Sequence, residues 1–236
     1  MLSIYKSLAV SISIFFTYCN TPSKTYLEKY LPKSSLKGVW VTNVGSDALK
    51  SEANIKDLVY NCKKHQINHL FVVVWNKGLT QYPSDVLKKH IGIKQEQIFS
   101  HFDPLEFLIE VAHRQGIKVH AWFEFGFSFA YNDPKSPWIE KYPDWLGRDS
   151  EGEILKKNNF MWWNALHPGP QKFLLELIEE VVTKYDVDGI QGDDRLPAMP
   201  SEGGYDPYTL SLFQNVFSKS PPSNHKEENW FSSLLC

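Results

Sequence analysis

The residues with the clearest chemical potential are two adjacent carboxylates and an arginine, Asp193, Asp194 and Arg195. They follow a short apolar segment around Ile190 that predicts a β-strand. Because side chains alternate along a strand, Gln191 and Asp193 are predicted to point to the face opposite Ile190. An ionised carboxylate at the end of a strand can act as a nucleophile or stabilise a developing positive charge.

A second candidate group lies on the apolar segment 118–127, which also predicts a strand. Alternation places His120, Trp122 and Glu124 on one face, with the glutamate towards the carboxyl end. In parallel α/β proteins, ligands bind at the carboxyl ends of the strands. Neighbouring strands lie about 4.8 Å apart, so Glu124 is predicted to lie close to Asp193.

Strands and helices alternate along the chain, which is typical of a parallel sheet. Further buried strands are predicted over 36–44 and 69–75. A cap residue and a proline predict a helix start at Asp103, with its end at Gly116. Apolar spacing predicts another helix over 170–185. About four βα units result, which is either a small open sheet or the first half of a barrel.

Polar and aromatic side chains at the strand ends and on long loops are candidates for binding sugar hydroxyls and sugar rings. The excursion 128–167 is long enough to build a binding surface. Core packing is the alternative role for the aromatic residues, and turn formation is the alternative for the asparagines. The candidates are Asn43, Trp75, Asn76, Tyr82, His120, Trp122, Trp162, Trp163, Gln191 and Arg195.

The net charge of −2 gives no reason to expect nucleic acid as a partner. Lys6 and the apolar run 8–18 predict a secretory signal that ends at Cys19, the expected site of lipid attachment. The alternatives are a plain signal peptide and a retained anchor helix. We predict a signal over 1–19, a tether over 20–34, a catalytic-type domain over 35–217 and an irregular tail over 218–236. The protein is then exported, to the periplasm or to a membrane surface.

Several short motifs, in order along the chain, resemble the glycosyl-hydrolase-like 10 domain family. These are residues 38–43 (GVWVTN), 74–78 (VWNKG), 82–83 (YP), 120–126 (HAWFEFG), 163–168 (WNALHP), 188–194 (DGIQGDD) and 204–209 (GYDPYT). The resemblance implies a partial (β/α)8 TIM barrel with long strand-tip loops. It implies a glycosidase of the bacterial envelope that acts on a glycan such as peptidoglycan, and no cofactor. It also implies further barrel strands after Thr209, but the residues that follow show no pattern that predicts a strand.

The segment 188–193 is also similar to the fourth-strand motif of α-amylase-type barrels. That similarity implies a nucleophile at Asp193 and places Gln191 where amylases carry an arginine. In that motif the acid comes from a later strand. The two comparisons leave two hypotheses, a carboxylate-based glycosidase and a truncated, inactive carbohydrate-binding surface lipoprotein.

Within the glycosidase hypothesis, Asp193 is the nucleophile or charge stabiliser, Glu124 the acid/base and Asp194 an orienting residue. The structural alternatives are a turn residue for Asp194 and an ion-pair partner for Glu124. For His120 the alternative is a hydrogen-bonded interior residue. Metal-dependent hydrolysis by the two aspartates with His120 or His167 is a rival, but neither of these two histidines has another histidine within four residues, and no metal is expected.

Overall fold

The computed structural model describes residues 35–192 and 199–223. The chain divides into two compact units, Met1–Ser35 and Leu36–Cys236, and every element below lies in the second. Its strands are β1 (Gly38–Val41), β2 (His69–Asn76), β3 (Leu79–Thr80), β4 (Lys118–Phe123), β5 (Ser128–Tyr131), β6 (Lys156–Lys157), β7 (Phe160–Trp162) and β8 (Gly189–Gly192). Its helices are α1 (Glu52–Lys64), α2 (Asp85–Ile91), α3 (Pro104–Arg114), α4 (Pro137–Lys141), α5 (Pro168–Lys184) and α6 (Pro207–Phe217).

Four parallel strands form the central sheet in the order β1, β2, β4, β8, and β3 pairs with β2. In the register of this sheet, His69 pairs with Lys118 and His120 pairs with Gly189. The carboxyl ends of the four strands therefore lie at one edge of the sheet. This confirms the predicted α/β architecture of about four βα units, which form an open sheet within the described residues.

One face of the sheet forms the core. Its side chains belong to one apolar cluster with residues of α1, α3 and α5, because a parallel sheet is covered by the helices that connect its strands. Cluster members on β2 and β4 that are at most 1% exposed include Leu70, Val72, Val74, Val119, Ala121 and Phe123.

The opposite face carries aromatic and polar side chains. Trp40 of β1 stacks on Phe71 of β2, and Phe71 stacks on His120 of β4, with 5.1 and 4.8 Å between ring centroids. The indole Nε1 of Trp40 donates a hydrogen bond to Oε1 of Gln191 on β8, at 3.0 Å. A direct bond between the two outermost strands requires a sheet that is curved towards this face. The four strands thus form part of a barrel wall, with the aromatic face inside.

The predicted third strand is shorter than expected. It ends at Phe123, because the next residues form a tight turn in which the amide of Ser128 donates to the carbonyl of Phe125 at 2.7 Å. Phe125 has a φ of 59°, in the left-handed region. Glu124 is therefore the first residue of a turn. The side-chain alternation had predicted that it lies within the strand, and that prediction is wrong. The first strand is shorter too, Gly38–Val41 instead of 36–44.

The excursion after this turn folds into its own small antiparallel sheet, in the order β5, β7, β6. Asn158 and Asn159 join β6 to β7 with φ values of 50° and 67°. Two positive φ values suit a two-residue hairpin, and asparagine tolerates them better than most residues. Residues 149–153 form a turn, because Oδ1 of Asp149 accepts from the amides of Glu151 and Glu153. This small sheet was not predicted from the sequence.

Helix α3 begins where the cap signal predicted. Asp103 is the N-cap, and its Oδ1 accepts from the amides of Leu105 and Glu106, each at 3.1 Å. The helix ends at Arg114, and Gly116 follows with a φ of 71°. The predicted helix over 170–185 is confirmed as α5. Cys62 lies buried on α1, whereas Cys19 and Cys236 lie outside the described residues.

A buried glutamate joins α5 to α2. Glu180 of α5 is 8% exposed, and its Oε2 accepts from the hydroxyls of Tyr82 and Ser84. Its Oε1 accepts from the amides of Asp85 and Val86, at 2.7 and 3.3 Å. Burial, followed by the charge of Glu180, holds the pKa of Tyr82 well above its usual value. The carboxylate thus caps the first turn of α2 and fixes the loop that follows β3.

In residues 35–192 and 199–223, no helix combines the length and the apolar character that a membrane span requires. The predicted signal, its lipidation site at Cys19 and the tether lie outside these residues.

Candidate active site

Glu124 lies at the carboxyl end of β4, in the turn that follows Phe123. Its backbone amide donates to the carbonyl of Trp75 on β2 at 3.0 Å, which extends the pairing of the two strands by one residue. Its side-chain Oε2 accepts from Nδ2 of Asn76, at 2.7 Å. Two predicted site residues, Glu124 and Asn76, are therefore brought into direct contact by the register of β2 and β4.

Asn76 connects Glu124 to a wider polar network. Its Nδ2 also donates to Oδ1 of Asn43, which follows β1, at 3.1 Å. Nδ2 of Asn43 donates to Oε2 of Glu96 at 2.9 Å, and Nε2 of Gln81 donates to the same oxygen at 3.2 Å. Amides from the ends of β1 and β2 thus bridge two carboxylates, Glu96 and Glu124. Networks of this kind hold their members in fixed positions.

Glu96 and Gln81 were not predicted as site residues from the sequence. Glu96 lies on a loop, where its amide donates to the carbonyl of Thr80 at 2.8 Å, and Gln81 directly follows β3. Neither residue follows a long apolar strand, which was the signal used for Asn43 and Asn76. Gln81 does adjoin the motif at 82–83, so proximity to a motif was the available signal for it.

Two acceptor atoms of this network, Oδ1 of Asn76 and Oε1 of Gln81, are buried without a hydrogen-bond partner. Asn76 is 1% exposed and Gln81 is 2% exposed. Leaving a buried acceptor unpaired costs about 1–3 kcal/mol. Such costs are common where a protein holds polar groups ready for a ligand or a water molecule.

Deeper in the curved face, His120 packs against a second histidine. The Nε2 of His120 lies 2.7 Å from the Nδ1 of His69, and the two rings stack. Burial and then the neighbouring His69 lower the pKa of His120. Gly189 faces this ring, since a Cβ added there would lie 2.7 Å from Nδ1 of His120. His120 therefore has the role of a neutral interior residue, and the glycine of the 188–194 motif makes room for it.

Four aromatic residues predicted to bind sugar pack inside the protein, which corrects that expectation. Trp75, Tyr82 and Trp163 are 0% exposed, and Trp162 is 6% exposed. The polar groups of two of these side chains have hydrogen-bond partners inside the protein. Nε1 of Trp75 donates to the carbonyl of Gly126 at 2.9 Å, and the hydroxyl of Tyr82 donates to Glu180. Buried aromatic rings on loops connect those loops to the core. Trp122 is half-buried on the curved face beside Gln191.

Asp193, Asp194 and Arg195 lie outside the described residues. The described strand β8 ends at Gly192, which pairs with Phe123. β4 and β8 are neighbours, as the hypothesis of a carboxylate pair on consecutive strands requires. The roles predicted for Asp193, Asp194 and Arg195 stay predictions.

The two histidines considered for a metal site have other contacts. His120 bonds to His69, and Nδ1 of His167 accepts from the amide of Gly169 at 3.0 Å as the N-cap of α5. Within the part of the chain that the structure describes, no three His, Cys, Asp or Glu side chains are grouped to hold a metal ion.

Asp188, the first residue of the 188–194 motif, has a structural role. Its Oδ2 accepts from the amide of Val119 at 2.8 Å and from Nε2 of His113 at 2.9 Å, and Lys118 lies nearby. Partial burial opposes ionisation, but these hydrogen bonds and charges outweigh it and hold the pKa of Asp188 below its usual value. Asp188 therefore fastens the start of β8 to β4.

The Asp188→Asn protein is expected to lose the part of the pH dependence of stability that Asp188 causes. A lowered folded-state pKa stabilises the protein above the unfolded-state pKa, and that stabilisation disappears as the pH falls through the folded-state value. Urea unfolding at about pH 7 should show a loss of up to about 1 kcal/mol, limited by solvent screening, and the loss should shrink near pH 3.5. Asp57→Asn on the exposed side of α1 is the control. A loss that does not change with pH would contradict this account.

Carboxylates and amides at the carboxyl ends of parallel strands are typical of the active sites of TIM-barrel glycosidases. The model of the family Glycosyl hydrolase-like 10 matches residues 35–233, and the chain belongs to this family. This confirms the resemblance found in the sequence.

Two curated relatives of the chain carry the name glycosyl hydrolase. The chain is 26% identical over 180 residues to glycosyl hydrolase DigH of Escherichia coli strain K12, which covers 67% of this chain and 38% of that protein. It is 27% identical over 127 residues to glycosyl hydrolase YngK of Bacillus subtilis, which covers 49% and 23%. The chain thus spans less than two fifths of the length of either relative.

Among solved structures, α-L-fucosidase isoenzyme 2 from Paenibacillus thiaminolyticus matches with a TM-score of 0.56 at 22% identity. The match covers 85% of this chain and 28% of that one. At this identity the likeness concerns the fold alone, and it agrees with a partial barrel.

Proposed function

We propose that the protein hydrolyses glycosidic bonds of a bacterial envelope glycan of the peptidoglycan type, using carboxylates at the carboxyl ends of β4 and β8. One observation carries the proposal. The contact of 2.7 Å between Asn76 and Glu124 fixes a carboxylate at the end of β4, next to the strand that Asp193 follows. Membership of a glycosyl hydrolase-like family supports the same reaction class.

In this mechanism, Glu124 is the acid that protonates the leaving glycosidic oxygen. Its Oε2 accepts from Asn76, which holds the carboxyl group at the end of β4. Asp193 is the nucleophile or stabilises the oxocarbenium-like transition state, and Asp194 orients it. The distance between the two carboxyl groups decides the outcome, about 5 Å for retention and roughly 6.5 to 9.5 Å for inversion.

Asn43 and Glu96 act through Asn76. The hydrogen bond to Glu96 fixes the side-chain amide of Asn43. The oxygen of this amide accepts from Asn76, and Asn76 in turn donates to Glu124. These are positioning residues, because none of them needs to touch the scissile bond. Export and lipid attachment at Cys19 would place the site at the cell envelope, where such glycans lie.

The experiment is the release of reducing ends from purified peptidoglycan glycan strands by the whole chain. The Asp193→Asn protein and a full-length member of the family are assayed beside it. If the whole chain releases reducing ends and the Asp193→Asn protein does not, the proposal and the role of Asp193 are supported. If the Asp193→Asn protein releases them at the same rate, Asp193 has no part in the mechanism.

A second candidate function is glycan binding without hydrolysis. It is favoured by one observation, that the described strands form an open sheet in which β1 and β8 each have a single neighbour. Glycan binding without release of reducing ends, beside an active full-length relative, would support this function over the first.

A further inference from the structure

A pocket of about 370 Å³ lies outside the candidate active site. We call it the motif pocket, because two of the motifs shared with the family, 163–168 and 204–209, meet in its wall. The segment 143–148 supplies the rest of the lining. The side chains that carry the argument are Asp144, Arg148, His167, Asp206 and Tyr208. None of them belongs to the network around Glu124, so the proposed reaction gives this pocket no role.

Buried hydrogen bonds hold the walls of the motif pocket in place. Asn164 is 0% exposed, and its Nδ2 donates to Oδ1 of Asp206 and to the hydroxyl of Thr209, each at 2.8 Å. Its backbone amide donates to the carbonyl of Trp145 at 2.7 Å. Asn164 thus connects both motifs to the segment 143–148. A pocket that is fixed before binding costs a ligand less ordering.

Arg148 offers the pocket a guanidinium group. Its side chain is half-buried, and Nη1 donates to the carbonyl of Gly152 at 2.9 Å, which fixes one end of the group. Within residues 35–192 and 199–223, Arg148 forms no ion pair. A guanidinium carries five N–H donors, and its planar shape matches the two oxygens of a carboxylate. The remaining donors of Arg148 therefore suit a carboxylate in the pocket.

Asp144 adds the opposite charge to the same pocket. It is exposed, and it too forms no ion pair with the residues that the structure describes. Asp144 and Arg148 are four positions apart and line one pocket, but they do not pair with each other. A ligand with a single charge would complement one of them and leave the other unmatched. A ligand that carries both a carboxylate and an ammonium group complements both.

His167 and Tyr208 complete the set of binding groups. Nδ1 of His167 accepts from the amide of Gly169 at 3.0 Å, so the proton of the neutral ring lies on Nε2, which can donate. The rings of His167 and Tyr208 pack edge to face with 4.8 Å between centroids, and Tyr208 is 38% exposed. The carboxylate of Asp206 is occupied, because it accepts from the amide and the hydroxyl of Thr209.

We propose that the motif pocket binds an α-amino acid group, either a free amino acid or the end of a peptide that carries both charges. The carboxylate accepts from Arg148 and from Nε2 of His167. The ammonium group donates to Asp144, and the side chain of the ligand lies against the ring of Tyr208. The volume of the pocket is in the range of small-molecule sites. This site does not depend on the proposed hydrolysis.

The test is titration of the whole chain with L-alanine, with L-alanine methyl ester, which lacks the carboxylate, and with N-acetyl-L-alanine, which lacks the ammonium group. L-alanine is expected to bind with a dissociation constant on the order of 1 mM, since it has few atoms. Each blocked form should bind about tenfold more weakly. Nε-acetyl-L-lysine distinguishes the two sources of the ligand. Tighter binding than that of L-alanine indicates a peptide-linked group, and equal binding indicates the free amino acid.

Two variants assign the charges of the ligand to residues. The Arg148→Gln protein should bind L-alanine about tenfold more weakly and the methyl ester unchanged, because the ester has no carboxylate to lose. The Asp144→Asn protein should show the converse, a weaker L-alanine complex and an unchanged N-acetyl-L-alanine complex. Arg114→Gln and Asp57→Asn, at exposed positions on α3 and α1, are the matched controls. A purely structural role would weaken all three ligands alike.

The comparison of ligands on the unmodified chain keeps the test valid if a variant folds poorly. The Cε1–H resonance of His167, assigned by its absence from the His167→Asn protein, is expected to shift on addition of L-alanine and not of cellobiose. Equal affinities for the three alanine ligands, or tighter binding of cellobiose at this resonance, would overturn the inference. Neither result bears on the release of reducing ends.

Discussion

The Glu124→Gln protein will release reducing ends from envelope glycan at least about 100-fold more slowly than the unmodified chain, because general acid–base catalysis contributes about 10²–10⁴-fold to rates. Glutamine preserves the shape of the side chain and can still accept from Asn76 through its carbonyl oxygen. It cannot deliver a proton to the leaving oxygen. The loss should therefore appear in the rate of the chemical step, while unfolding by urea changes little.

Two substrates with different leaving groups distinguish an acid role of Glu124 from a nucleophile role. The nitrophenolate of a nitrophenyl glycoside departs as a weakly basic anion and needs little protonation, so the Glu124→Gln protein should retain most of its rate on that substrate. An equal loss on both substrates would instead assign Glu124 the role of nucleophile. Glu140→Gln, at an exposed position on α4, is the matched control and should lose nothing on either.

Local signals in the sequence were sufficient for the main sheet. The run 70–75 is continuously apolar, and such a run has few alternatives to a buried strand. At Asp103 a cap, a proline and a glutamate specify a helix start within four residues. The small sheet of β5, β6 and β7 offered no comparable signal, because its strands have two to four residues and depend on packing against the core.

The candidate site was predictable where it follows long strands and unpredictable elsewhere. Asn76 is the last residue of β2 and Glu124 directly follows β4, and strand register alone brings them together. Glu96 enters the network from a loop, so only the tertiary fold places it beside Asn43. Buried rings such as Trp163 were misassigned, because an aromatic residue on a loop has the same sequence pattern whether it faces solvent or the core.

Helix α5 shows the same limit within one element. Its apolar spacing includes Val182, which is 51% exposed, and omits Glu180, which is 8% exposed. A periodic pattern records which residues tolerate burial, but it does not record the partners that make burial of a charge favourable. Those partners come from residues 82–86, almost one hundred positions earlier in the chain.

The Glu180→Gln protein is expected to unfold with a free energy about 3 kcal/mol lower than the unmodified chain, because buried donors lose a charged acceptor. Both oxygens of Glu180 accept hydrogen bonds, from hydroxyls on one side and from the amides of Asp85 and Val86 on the other. The amide group of glutamine must therefore face a donor in either orientation. For a domain of this size the melting temperature should fall by about 10 °C.

Glu179→Gln is the matched control, since Glu179 is the preceding residue on the same helix and is exposed. It should change the unfolding free energy by less than about 0.5 kcal/mol. Because Glu180 fixes the loop after β3, the Glu180→Gln exchange should also loosen Gln81, and amide exchange in residues 80–87 should accelerate more than in β2 or β4. Equal unfolding free energies of the two variants would mean that the hydrogen bonds of the Glu180 carboxylate only offset the cost of burying it and add no net stability. In that case the position of Glu96 and Gln81 at the site would depend on the packing of α2 alone.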